Sequence, residues 1–104
     1  MRRGEIRWYK FKAPDKKRPV LILTRDSILE YLGEVTVAPI TSIIRDIPSE
    51  VFLSRNDGMP KDFAINFDHI QTVSKQKIGS LIMTLSADKL SQVRESIQFV
   101  LGIE

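Results

Sequence analysis

Cysteine is absent from the 104 residues, which excludes disulfides, thiol nucleophiles and thiolate metal sites and fits a reducing compartment. Histidine occurs once, and no cluster of side chains has metal-ligand spacing, so no metal or other cofactor is expected. The five glycines gather in no phosphate-cradling loop of the nucleotide-binding kinds. Long apolar runs are missing too. Met1-Arg2-Arg3-Gly4-Glu5 leads into no signal-type core, and no stretch approaches membrane-spanning length, so the expectation is a cytoplasmic protein without membrane contact. Without repeats, low-complexity segments or linkers, residues 1–104 read as a single domain. That domain is large enough for a core and small enough to gain from a second copy of itself.

What is present is unevenly charged. The net charge is only +3, yet residues 1–25 hold nine Lys and Arg against two acids, and the remainder is net negative. One end of the chain is suited to a polyanion, either nucleic acid or an acidic partner. Within it, Lys16-Lys17-Arg18 runs through Pro19 into Val20-Leu21-Ile22-Leu23. A continuous apolar run bounded by proline reads as a central strand covered on both faces, with Pro at its first position. Arg18 then stands at the strand's mouth on a fixed backbone, and its planar fork suits phosphate. The plainer alternative is a solvated cationic loop before a core strand.

Other elements follow from periodicity. Glu5 to Lys12 alternates as a first strand, with Ile6 and Trp8 on one face and Arg7 and Tyr9 on the other; Trp8 could stack a base, but the core is its more ordinary place. Asp26 or Ser27 is expected to cap a helix of about two turns, closed by a left-handed Gly33. Glu34 to Ile40 forms a strand with Pro39 at an edge or bulge, and Thr41-Ser42 at its end offers two hydroxyls for phosphate or substrate, or else a turn bonded to itself. Ser49 to Leu53 is a short strand, and Asp57-Gly58 supplies a hairpin-type turn. Further on, Phe63, Ile65 and Phe67 share one strand face, while Asn66 and Asp68 share the other. Asp68 and His69 invite an acid/base reading, although neighbours on a strand point apart. Leu81, Met83 and Leu85 alternate as a last strand. Ser86 then caps a helix to about Leu101, ended by Gly102, with Leu90, Val93, Ile97, Val100 and Leu101 on one stripe.

Five blocks in order, Arg3-Gly4-Glu5-Ile6-x-Trp8, Arg18-Pro19-Val20-Leu21-Ile22-Leu23-Thr24, Val37-Ala38-Pro39-Ile40-Thr41-Ser42, Asn66-Phe67-Asp68-His69-Ile70-x-Thr72-Val73 and Ile78-Gly79 with Leu85-Ser86, resemble the MazF/PemK toxin endoribonucleases over nearly the whole chain. The resemblance implies a mainly β fold, an SH3-like barrel with a C-terminal helix. It also implies a homodimer that cuts single-stranded RNA at short sequences without metal, and an antitoxin whose acidic, disordered segment fills the RNA groove. Carried over by position, Arg18 matches the family's catalytic arginine, Thr41 its hydroxyl residue and Asp68 its acidic position. Lys16, Lys17, Ser42, Arg45, Asn66, His69 and Gln71 are the expected RNA-binding residues. Two departures bear on specificity: the loop before Arg18 is shortened to Ala13-Pro14-Asp15-Lys16-Lys17, and His69 and Gln71 replace the usual Gln and Arg.

A metal-free ribonuclease uses the substrate's own 2′-hydroxyl and leaves a 2′,3′-cyclic phosphate, so the protein must supply positioning, charge stabilisation and proton transfer. Arg18 fits charge stabilisation; its proton is held too tightly for it to act as a base. Asp68 and His69 both remain candidates for the base. A related barrel family inhibits DNA gyrase by binding alone, and a non-catalytic RNA or antitoxin binder is a further alternative; neither requires Arg18 together with Thr41.

Overall fold

The computed structural model describes residues 1–10 and 17–104. Its strands are β1 (Glu5–Lys10), β2 (Lys17–Ile22), β3 (Glu34–Thr41), β4 (Glu50–Leu53), β5 (Phe63–Asn66), β6 (Gln71–Ser74) and β7 (Ile78–Thr84). Two helices accompany them, α1 (Asp26–Leu29) and α2 (Ala87–Leu101). The strands form one curled antiparallel sheet in the order β4-β5-β3-β2-β1-β7, with β6 on β3, and the C-terminal helix packs against this half-barrel.

The aliphatic run becomes β2, held between β1 and β3. Leu21 joins the core that α2 covers with Val93, whereas Val20 and Ile22 join a second core with Tyr9, Leu29, Val35, Val37 and Val73. Both faces are therefore buried, as the absence of a polar alternate in the run requires. Pro19 is the third residue of the strand rather than the first. It is paired with Trp8 on β1, and pairing with β3 begins only at Val20. Pro39 lies inside β3, opposite Val20, where β3 changes partner from β6, ending at Val37, to β5, starting at Ile40. A residue with no N–H fits the gap between two partners.

Several local expectations change. Helix α1 is a single turn, and Asp26 does not cap it: Asp26 Oδ1 instead accepts the Arg3 N–H at 2.6 Å. Gly33 does not adopt a left-handed conformation. Asp57-Gly58 is not a tight hairpin turn; β4 and β5 are joined by residues 54–62, opened by a 3-10 turn at Arg55–Asp57. Ser54 and Asp57 cap that turn reciprocally, and Gly58 leaves it at φ 110°, a conformation that excludes ordinary side chains. Strand β5 stops at Asn66, whose Oδ1 accepts the Asp68 N–H at 2.9 Å and starts a second 3-10 turn at Phe67–His69. Trp8, expected in the core, is only half-buried, and Tyr9 is the buried aromatic of β1.

Helix α2 begins and ends where expected. Ser86 Oγ accepts the Lys89 N–H, and Gly102 closes the helix at φ 66°. Its buried stripe is narrower than the apolar pattern, however: Leu90 and Leu101 are exposed, and Ser96 lies between Val93 and Ile97 at 4% exposure. Ser96 Oγ donates to the Pro48 carbonyl, which fastens the connection after β3 to the helix. Ser96→Ala removes that bond and is expected to lower stability by about 0.5–1.5 kcal/mol; urea denaturation reads the loss, and an unchanged midpoint would contradict it.

Glu5 links the chain's start to β7. Its Oε1 accepts from Arg7 Nε and from the Arg2 N–H, each at 2.8 Å, while Arg7 also donates to the Gly79 carbonyl. Burial alone would push the Glu5 carboxyl up, but the bonds from Arg7 and Arg2 together with the Arg7 charge outweigh it, so its pKa lies below the ordinary 4.5. A carboxyl lowered by folding adds stability above its unfolded value and loses it as pH falls through the folded one. The advantage of wild type over Glu5→Gln should therefore be full at pH 7 and fade below pH ~4.5. Paired urea titrations at pH 7 and pH 3 measure it; a gap equal at both would contradict the account.

Candidate functional site

Lys17 and Arg18, at the start of β2, both line one cavity of about 660 Å³. Lys17 and Arg18 are exposed, and Arg18 is carried beside Tyr9 of β1 by the β1–β2 register. Continuing the β2–β3 register from Val20 opposite Pro39 brings Arg18 alongside Thr41. The cavity floor is apolar, made by Pro19, Ile40 and Phe63. Because Pro19, Ile40 and Phe63 are buried parts of the sheet, the floor is rigid and the cations stand on a fixed base.

The opposite wall comes from the connection between β4 and β5. Arg55 and Lys61 line the same cavity, with Trp8 and Ser42. Arg55 Nε donates to the Pro60 carbonyl at 3.2 Å, and Lys61 Nζ lies 5.4 Å from the centre of the Phe63 ring. Four cations and no carboxylate therefore line one concavity among the described residues. Clefts lined by one sign of charge focus the field and raise the local concentration of the opposite charge. The Arg18 guanidinium has no hydrogen bond or ion pair with another described residue, while its backbone is held in the β1–β2 ladder.

The two hydroxyls behave differently. Ser42 lines the cavity. Thr41 does not; its Oγ1 accepts the Ile43 N–H at 3.0 Å, the self-bonded turn considered from sequence, while its own O–H remains able to donate. Arg45 is 54% exposed at the side chain and lies outside the cavity; its N–H donates to Glu50 Oε1 at 2.9 Å, and its guanidinium is 3.7 Å from Glu50 Oε2. That carboxylate is buried, and Oε2 has no hydrogen-bond partner among the described residues.

The remaining expected site residues are elsewhere. Asn66 is buried, and its side-chain oxygen caps the turn that follows β5. Asp68 and His69 are exposed on the 3-10 turn that follows, not alternating along a strand, and Gln71 is exposed opposite Val37 at the start of β6. None of these four lines the Arg18 cavity. Lys16 lies outside the described residues. Conversely, Arg55, Lys61 and Trp8 share the cavity although sequence reasoning gave Arg55 and Lys61 no role. The only sequence signal at Arg55 and Lys61 was a pair of cations flanking a turn, which is ordinary surface composition.

Comparison with known proteins agrees with this fold. A family model described as PemK-like, MazF-like toxin of type II toxin-antitoxin system matches residues 2–101. The probable endoribonuclease MazF2 of Mycobacterium tuberculosis is 34% identical over 103 residues, covering 98% of this chain and 99% of that protein. Among solved structures, Mycobacterium tuberculosis toxin MazF-mt6 superposes with a TM-score of 0.87 at 32% identity, over 96% of this chain and 98% of that one. A mycobacterial endoribonuclease in complex with its cognate antitoxin shares the fold, with a TM-score of 0.88 at 19% identity over 100% of this chain and 97% of that one. An Arg at the mouth of a doubly buried strand, a curled antiparallel sheet under a C-terminal helix and a match from end to end lead to one conclusion: the chain belongs to the PemK-like, MazF-like toxins of type II toxin-antitoxin systems.

Proposed function

We propose that this chain is an endoribonuclease toxin that cuts single-stranded RNA in the cytoplasm without a metal ion, using the cavity around Arg18. The observation that carries the reading is the set of four cations, Lys17, Arg18, Arg55 and Lys61, around a rigid apolar floor with a hydroxyl and, among the described residues, no carboxylate. Such a surface repels no phosphate and offers Arg18 as a planar donor to a phosphorane. The 2′-hydroxyl of the substrate gives up its proton and attacks the phosphorus on the adjacent 3′-oxygen, the P–O5′ bond breaks, the departing 5′-oxygen takes a proton from solvent, and the products are a 2′,3′-cyclic phosphate and a 5′-hydroxyl. Arg18 stabilises the charge that grows on the equatorial oxygens. Thr41 and Ser42, at the end of β3, orient a phosphate oxygen or the nucleophile. Asp68 is the candidate proton acceptor, with His69 beside it and Gln71 nearby as RNA contacts; Arg45 adds charge on the exposed connection after β3.

Asp68 and His69 stand apart from the Arg18 cavity within one chain, which supports a homodimer in which an RNA strand runs over both subunits. The apolar surface for such contact is available at Leu81 on the outer strand β7 and at Phe99, Leu101 and Ile103 by the end of α2, each 48–62% exposed. A partner antitoxin with an acidic, disordered segment would neutralise the same four cations and so compete with RNA. Sedimentation at micromolar concentration should give a dimer; a strictly monomeric, fully active species would remove the two-subunit groove.

The decisive experiment is cleavage of a long unstructured RNA in EDTA with the cut ends mapped. Wild type should give cyclic-phosphate ends. Arg18→Lys keeps the charge but not the fork and should lower single-turnover cleavage by about 10²- to 10³-fold, roughly 3 to 4 kcal/mol, with affinity little changed. Lys17→Ala should instead weaken binding and reduce its salt dependence by about one counterion. Full cleavage by Arg18→Lys would remove Arg18 from the chemistry, and ends carrying 5′-phosphate would remove the 2′-hydroxyl mechanism.

A further inference from the structure

One phosphodiester carries one negative charge, yet the cavity holds four cations on two separate walls. Lys17 and Arg18 belong to β2, and Arg55 and Lys61 face them from the connection between β4 and β5. Like charges gathered with no carboxylate between them among the described residues repel one another, an arrangement that is relieved when anions enter. The second wall has more positive charge than a single scissile phosphate can neutralise.

That wall is also built to hold its shape. Ser54 Oγ accepts the Asn56 N–H, Asp57 Oδ2 accepts the Ser54 N–H at 2.8 Å, and the left-handed Gly58 follows. Arg55 Nε is fixed on the Pro60 carbonyl at 3.2 Å, and its two terminal nitrogens have no other partner among the described residues. A guanidinium anchored through Nε still presents a two-nitrogen edge that matches two phosphate oxygens. Lys61 is steadied over the Phe63 ring at 5.4 Å. Half-buried Trp8 borders the same space, where a base between two phosphates can lie on its ring.

Building on the ribonuclease reading, we infer that Arg55 and Lys61 form a second phosphate-binding site, which holds the phosphate next to the one that Arg18 faces. The substrate class narrows accordingly: a strand with at least two successive phosphates is required for full rate, and a dinucleotide with one phosphate is a poor substrate.

The test replaces each phosphate flanking the mapped cut, in turn, with an uncharged methylphosphonate. At one flanking position the replacement should cost wild type roughly tenfold in kcat/KM, the scale of one charge-assisted hydrogen bond. The same replacement should cost Arg55→Ala and Lys61→Ala each clearly less than it costs wild type, because one of the two partner charges is already gone, and should cost the double variant less than twofold. Independent, multiplying losses at both flanking positions would overturn the assignment. Thermal melting checks each variant, and Lys61→Ala decides alone if Arg55→Ala is unfolded. Should wild type cut no RNA, the proposed function fails, and equilibrium binding of an unstructured RNA still decides the second site: the slope of log affinity against log salt should fall by about 0.7 in Arg55→Ala. An unchanged slope there would overturn it.

Discussion

The burial of β2 on both faces is the constraint from which the rest follows. Val20, Leu21 and Ile22 are each at 0% exposure and belong to two different cores. Removing side chains of this kind from water contributes about 1.5–3 kcal/mol each. The strand therefore cannot slip by one residue: a slip would exchange the two faces and misplace three fully buried side chains at once. Because the register is fixed, Arg18 has one position, beside Tyr9 and alongside the end of β3. Packing energy is converted here into placement of charge, and the cation needs no ion pair of its own to stay in place.

The second wall of the cavity is positioned by different physics. The connection at residues 54–62 is held by its own side-chain to backbone bonds, with Met59 anchoring it in the main core. Phe63 then carries the chain straight from that connection into β5, which β3 receives at Ile65 and Ala64. The short path from wall to sheet explains how a loop can face a strand across a cavity of constant shape.

Much of this was legible in the residues. The unbroken aliphatic run announced a doubly buried strand, and Ser86 and Gly102 marked both ends of α2 because caps are local chemistry. The five ordered blocks identified the family. What escaped the sequence was non-local. Arg55 and Lys61 are about forty residues from Arg18, and only the curl of the sheet puts them on one cavity. Asp68 and His69 were read as strand neighbours because the apolar alternation of Phe63, Ile65 and Phe67 continues past Asn66; the capping bond from Asn66 overrides that alternation. Residue type points Trp8 to the core, but the cavity that it borders leaves it half-exposed.

The two walls also differ in how freely they can change. Substituting Val20 or Ile22 disturbs a core, so the strand that carries Arg18 is held in place by folding itself. Arg55 and Lys61 are exposed and lie in a connection that closes on itself, where most exchanges of surface side chains cost less than about 0.5 kcal/mol. Descent with modification can therefore change the charge on one wall of this cavity without disturbing the strand that carries Arg18, so the two walls are free to diverge at different rates.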